Sequence, residues 1–157
     1  MAELNNEFEI QVRVQKAFTD ATQEKVKNHH ALNDNEIELL CPVAMKTTMT
    51  NSEIKTLGLS EHYSFVPTIN VVNDLRALGF ECVGAEQVKA RKKTTNGYQK
   101  HMLTFENPKY KVEGAEEYPQ LLLTNSHDGG NAFTLSAGIF RLICSNGLVI
   151  KTEDYGT

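Results

Sequence analysis

Five cations and one phenol crowd residues 89–100: Lys89, Arg91, Lys92, Lys93, Tyr98 and Lys100. Cations spaced along a chain neutralise phosphates and release their counterions, and a ring beside them gives a base a surface to stack on. A single strand of nucleic acid needs that combination. A duplex fits less well, because no basic recognition helix is visible. The plainer reading is a solvated hairpin whose lysines keep an edge strand from pairing with a neighbour.

Two other clusters have chemical potential. Asn125-Ser126-His127-Asp128-Gly129 brings a carboxylate and an imidazole into one turn, and His101 lies on a nearby strand. His101, His127 and Asp128 would suit a metal-dependent nuclease or phosphodiesterase. No H-E-x-x-H motif or paired acidic cluster accompanies them, and Asn, Asp and Gly are ordinary turn residues. His127 then simply bonds a neighbouring carbonyl. Cys144-Ser145-Asn146-Gly147, near Arg141, raises the question of a thiol nucleophile. A small buried residue at a strand end is the commoner outcome. Arg141 is kept as a conditional addition to the nucleic-acid site. No catalytic residue, metal or cofactor is assigned, and no glycine-rich phosphate loop is present.

The elements that position these groups read as α+β. Phe8, Ile10, Val12 and Val14 alternate with polar residues, the pattern of a half-buried strand over 7–14. Residues 20–30 are polar and helix-prone. Ile37, Leu39 and Cys41 suggest a short strand ended by Pro42. Thr50 to Glu53 has capping-box spacing and Gly58 is a stop, which predicts a short helix holding Ile54 and Leu57. Thr68 is a candidate N-cap. Ile69, Val72, Leu75 and Leu78 repeat at helical spacing until Gly79. Phe80 to Val83 leads into a sheet that is mainly antiparallel and built from hairpins.

Asn96-Gly97 and Asn146-Gly147 are hairpin-turn pairs, and residues 127–131 form a third turn. Ser136 to Cys144 fits either a strand or a short helix. With Asn96-Gly97 in a two-residue turn, Arg91 pairs with Met102, Lys93 with Lys100 and Val88 with Phe105. One face then carries Val88, Ala90, Leu103 and Phe105 toward a core. The other carries Lys89, Arg91, Lys93 and Lys100, with Tyr98 among them. Lys92 and His101 fall on the apolar side near the tip. Lys93 opposite Lys100 costs stability, which a bound anion would offset.

The whole chain narrows the class. Its 157 residues, 40% hydrophobic and 23% charged, suit one globular domain, 1–157. No apolar run approaches the roughly 18 residues of a membrane span. Met1 to Ile10 holds three glutamates and no basic residue, unlike a secretory signal. Cys41, Cys82 and Cys144 form no C-x-x-C pair, which argues against a disulfide framework or a zinc ribbon and for a reducing cytosol. The net charge is −4, yet residues 87–111 hold seven basic side chains against one acid, Glu106. A cationic island on an anionic body binds a polyanion at one place. The same anionic body motivates another reading, an anti-defence protein-binding module that mimics nucleic acid.

Several blocks in order resemble a known family. They are Tyr63-x-Phe65-Val66-Pro67-Thr68, Leu75 to Phe80, Lys100-His101-Met102, Leu123 to Gly129, and Gly138-Ile139-Phe140-Arg141-Leu142-Ile143-Cys144-Ser145-Asn146-Gly147-Leu148. Together they resemble the phage- and plasmid-borne domain of unknown function nine-three-two over about residues 60–150. That resemblance implies mobile-element origin and a bacterial cytoplasm, and supplies no activity. Members often continue well past the final block, so the chain is expected to be a minimal version or a fragment. By size, acidity and setting the chain is also similar, more weakly, to Drc-like single-stranded-DNA-binding transcription regulators of phages.

The resulting expectation is a non-enzymatic, sequence-tolerant single-stranded-DNA-binding protein of phage replication or transcription. DNA is favoured over RNA. Lys89, Arg91, Lys92, Lys93 and Lys100 neutralise phosphates and Tyr98 stacks a base. Expected partners are the nucleic acid, further copies of the chain joined by sheet edges, and a phage or host transcription or replication protein. No membrane is expected.

Overall fold

The computed structural model describes the backbone of residues 2–144 and 147–151, and side chains over residues 5–140. Four α-helices precede an antiparallel sheet. The helices are α1 (Ala2–Lys27), α2 (Asp34–Leu40), α3 (Asn51–Thr56) and α4 (Thr68–Ala77). The strands β1 (Glu81–Gln87), β2 (His101–Glu106), β3 (Glu117–Asn125), β4 (Thr134–Cys144) and β5 (Gly147–Lys151) lie side by side in chain order. The class is α+β, as the sequence indicates. No described helix is long and apolar enough to cross a membrane.

Three local expectations are corrected. Residues 7–14 are helical, within α1. No glycine or proline interrupts residues 2–27, and the polar positions between the apolar ones are mostly Glu, Gln, Arg and Lys, which favour helix. Ile37 and Leu39 belong to α2, which an Asn33–Glu36 capping box starts. Glu36 N–H donates to Asn33 Oδ1 at 2.9 Å, and Asn33 N–H donates back to Glu36 Oε1 at 2.9 Å. Pro42 then opens a 3₁₀ turn, Pro42–Met45. Pro67, not Thr68, is the N-cap of α4. Thr68 is the first helical residue and is buried.

Other elements form as read. Thr50 and Glu53 make both capping-box bonds of α3. Gly79 follows α4 at φ 94, a left-handed value that favours glycine. Ser136–Cys144 is strand: β4 pairs with β3 from Thr134↔Thr124 to Arg141↔Glu117. The Asn146-Gly147 turn lies partly outside the described residues.

One sheet face carries the core. Cys82, Leu103, Phe105 and Leu123 meet Ile37, Cys41 and Ala44 from the α2 region and Ile69, Val72 and Leu75 from α4. Leu103, Phe105 and Leu123 are fully buried. Each contributes roughly 1.5–3 kcal/mol through burial. The outer border of β1 is partly capped. Leu32 N–H donates to the Cys82 carbonyl at 2.8 Å, the Cys41 thiol to the Glu86 carbonyl at 3.7 Å, and Val43 N–H to Gln87 Oε1 at 3.1 Å.

Candidate functional site

The basic segment is a loop, not a two-residue hairpin. β1 and β2 pair as Cys82↔Phe105, Ala85↔Leu103, Glu86↔Met102 and Gln87↔His101, with a shift between Cys82 and Gly84. Val88 N–H donates to the Lys100 carbonyl at 3.0 Å, and there the ladder ends. The expected pairs Arg91–Met102, Lys93–Lys100 and Val88–Phe105 therefore do not form. Core packing explains the register: Leu103 and Phe105 must meet Ala85 and Cys82, and slipping them would expose two fully buried side chains. Lys89 to Lys93 offer no apolar alternation to extend a strand. The chain instead turns through a 3₁₀ segment, Lys93–Thr95, and Gly97 takes φ 97. Val88 is exposed rather than in the core.

This loop gathers the cations around open clefts. Lys89, Arg91, Lys92 and Lys100 line one of about 460 Å³, with Asp128 and Asn131 from the β3–β4 turn completing its rim. A second, of about 480 Å³, shares Lys89, Arg91 and Lys92 and adds Lys93. All five cations are exposed. Among the described residues none of them pairs with a carboxylate. The rest of the island is spent differently. Lys111 Nζ lies 2.5 Å from Glu106 Oε1, and Lys109 lies over the Tyr110 ring.

Tyr98 does not stand free beside the cations. It is half-buried, its hydroxyl donates to Glu53 Oε2 at 2.5 Å, and Lys46 Nζ lies 5.0 Å from its ring centre. Lys46 and Tyr98, with Thr50, hold the Glu53 carboxyl down at about 2. The phenol thus ties the loop to α3. Tyr98→Phe should loosen the loop without unfolding the sheet. Limited trypsin digestion should then cut faster at Arg91, Lys92 or Lys93; an unchanged cutting rate would remove Tyr98 from this role.

Beneath the loop lies a buried polar layer. His101 is not near a tip but fully buried in β2. Its Nδ1 donates to the Gln99 carbonyl at 2.9 Å, and its Nε2 accepts from Thr68 Oγ1 at 2.6 Å. Asn125 Nδ2 donates to Thr68 Oγ1 and to the Val66 carbonyl. His127 is also fully buried; its Nε2 donates to the Val43 carbonyl at 3.2 Å, and its backbone N–H donates to the Tyr98 carbonyl at 2.9 Å. The two imidazoles are 5.1 Å apart. Burial pushes His127 down to about 4, with His101 acting in the same direction, and burial lowers His101 too. These histidines anchor the loop's return arm. Asp128 lies apart from them in role, accepting Gly130 N–H at 2.8 Å. Among the described residues no three His, Cys, Asp or Glu side chains converge as a metal-holding group. The side chains of Arg141 and Cys144 lie outside those described.

A second buried cluster escapes sequence reasoning. Glu106, 1% exposed, contacts His29 Nδ1 at 2.5 Å and accepts from Gln120 Nε2 at 2.6 Å. Burial would raise its pKa, but His29, Lys111 and Gln120 outweigh that and lower it. His29 lies 77 residues away in the chain, in a left-handed conformation of φ 55. No local spacing announces such a contact.

Comparison with known proteins adds a family and no activity. A family model described as domain of unknown function (DUF932) matches residues 58–157. The chain is 36% identical over 105 residues to UPF0380 protein YfjQ and, equally, to UPF0380 protein YafZ, both of Escherichia coli (strain K12). Each match covers 67% of this chain and 37% of the relative, so the chain spans little more than a third of their length. Neither the model nor these relatives points to a Drc-like regulator. No solved structure matches.

Proposed function

We propose that this chain, which belongs to the DUF932 family, is a sequence-tolerant single-stranded-DNA-binding protein. It would act in the replication or transcription of a mobile element, in a bacterial cytoplasm. One observation carries the reading: five exposed cations share a single loop around open clefts, without a carboxylate partner among the described residues. Like charges held this close repel one another until an anion lies between them. A polymer of phosphates is the anion that spans two adjoining clefts. Base stacking on Tyr98 has less support than phosphate pairing, because Glu53 and Lys46 already engage that ring. The nuclease reading has less support too, since His101 and His127 spend their hydrogen bonds on holding the fold.

A salt titration with labelled oligonucleotides tests this. Single strands should bind more tightly than duplex. The logarithm of affinity should fall with the logarithm of salt at about −0.7 per contacted phosphate, or about −3 to −3.5 for four or five contacts. Affinity without salt dependence, or no affinity at low salt, ends the proposal.

A further inference from the structure

The two clefts of the cationic loop differ in one group. The cleft of about 460 Å³ has three kinds of lining: the cations Lys89, Arg91, Lys92 and Lys100, the apolar pair Val88 and Ala90, and the carboxylate of Asp128. The adjoining cleft of about 480 Å³ shares Lys89, Arg91, Lys92 and the apolar pair, but no acid lines it. A carboxylate beside a phosphate site repels the anion that the cations attract. It welcomes instead a group that donates hydrogen bonds. The turn between β3 and β4 fixes this carboxylate. Asp128 is half-buried, and its Oδ1 accepts Gly130 N–H at 2.8 Å. Ser126 Oγ accepts Asn131 N–H at 2.9 Å and donates to the Asn131 carbonyl at 3.0 Å. Gly129 takes φ 78, and a Cβ there would lie 2.6 Å from Leu59 Cδ2. Asp128 is thus set in place before any ligand arrives.

A nucleotide has three matching parts. Its phosphate suits the cations, the flat face of its base suits Val88 and Ala90, and the edge of its base is left for Asp128. An ionised carboxylate only accepts hydrogen bonds. It therefore favours a base edge that bears an amino group and opposes one that bears a carbonyl. Cytosine carries an amine at C4, where thymine and uracil carry a carbonyl oxygen. An unpaired strand leaves that edge open to a protein. We infer that Asp128 is a base-reading residue: the strand seats one amino-bearing base in this cleft, cytosine in preference to thymine or uracil. This rests on the loop being a single-strand site. One reading position beside a cleft without an acid leaves binding tolerant of sequence and biased in composition.

Fluorescence anisotropy of the full chain with short oligomers of deoxycytidine and deoxyuridine tests it, above pH 7, where cytosine is unprotonated. The two bases differ in the group at C4 and in the proton at N3. The parent should bind the deoxycytidine oligomer about 3–10-fold more tightly, the worth of one hydrogen bond in an open cleft. Asp128→Asn keeps an oxygen for Gly130 N–H and offers an amino group in place of the second oxygen. The deoxycytidine preference should then vanish or reverse, while affinity for both oligomers rises with the charge removed. A parent that binds both oligomers alike, or a preference unchanged in Asp128→Asn, overturns the inference and leaves the single-strand site standing. Equal gains for both oligomers would make Asp128 a matter of charge alone. Lys89→Gln should weaken both equally; a preference that shifts there as much as in Asp128→Asn also counts against base reading. No binding of either oligomer by the parent would instead end the single-strand site itself, and the inference with it.

Discussion

Replacing Lys89, Arg91, Lys92 and Lys100 together by alanine is expected to cut affinity for a single-stranded oligonucleotide about 10²–10³-fold at 0.1 M salt. The magnitude comes from counterion release: four lost contacts at about 0.7 each remove close to three units of log–log slope. The slope itself should shrink by the same amount, so parent and variant converge at high salt. The fold should be untouched. All four side chains are exposed and make no ion pair among the described residues. Their crowding on one loop is repulsive, so the thermal midpoint should hold or rise slightly. A folded variant with parental affinity would dispose of the cationic loop as a binding site.

Acidification is expected to destabilise the protein well before its carboxylates titrate. His127 falls from an ordinary 6.5 to about 4 on folding, and His101 shifts downward as well. Above pH 6.5 both states hold these rings neutral, and stability is flat. Between 6.5 and about 4 the unfolded chain takes up a proton that the folded chain refuses, so stability falls with pH. One such group costs up to about 1.4 kcal/mol per pH unit, or roughly 3 kcal/mol by pH 4. His101 adds in the same sense. Glu36, Glu53 and Glu106 sit below their ordinary 4.5, so their loss comes at lower pH and leaves the upper window to the histidines. Urea midpoints should be level above pH 7 and drop between pH 6.5 and 4.5. Following the imidazole signals of the folded protein by NMR identifies the groups responsible. A flat midpoint over that window, or a His127 ring that titrates normally, would contradict the buried-pair account.

What was legible in the sequence follows the range of the forces involved. The Thr50–Glu53 box and Gly79 act within a turn, and both gave the element they promise. Asn33–Glu36 carries the same kind of signal, and it prevails over the alternation Ile37, Leu39, Cys41. In α1 the period-two pattern had no sheet to join, and an uninterrupted run of helix-forming residues prevailed. Asn96-Gly97 failed for a different reason. A turn pair sets a register only when the flanking strands can follow it, and here Leu103 and Phe105 answered to the core. The resulting loop also avoids the facing lysines that a tight hairpin would have imposed. Charge clustering showed which cations share the loop and line its clefts, because composition survives a change of geometry. The histidine layer and the Glu106 cluster stayed hidden, because their partners (Thr68, the Val43 carbonyl, His29) come from distant segments.

The capping of β1 bears on how the protein survives at high concentration. A bare strand border templates foreign strands and so seeds insoluble assemblies. Here part of that template is occupied by a main-chain amide from the α1–α2 connection and by a thiol just past α2. Unwanted fibre growth from this side would first have to peel the helical layer away, which ties colloidal behaviour to the integrity of the fold rather than to surface charge.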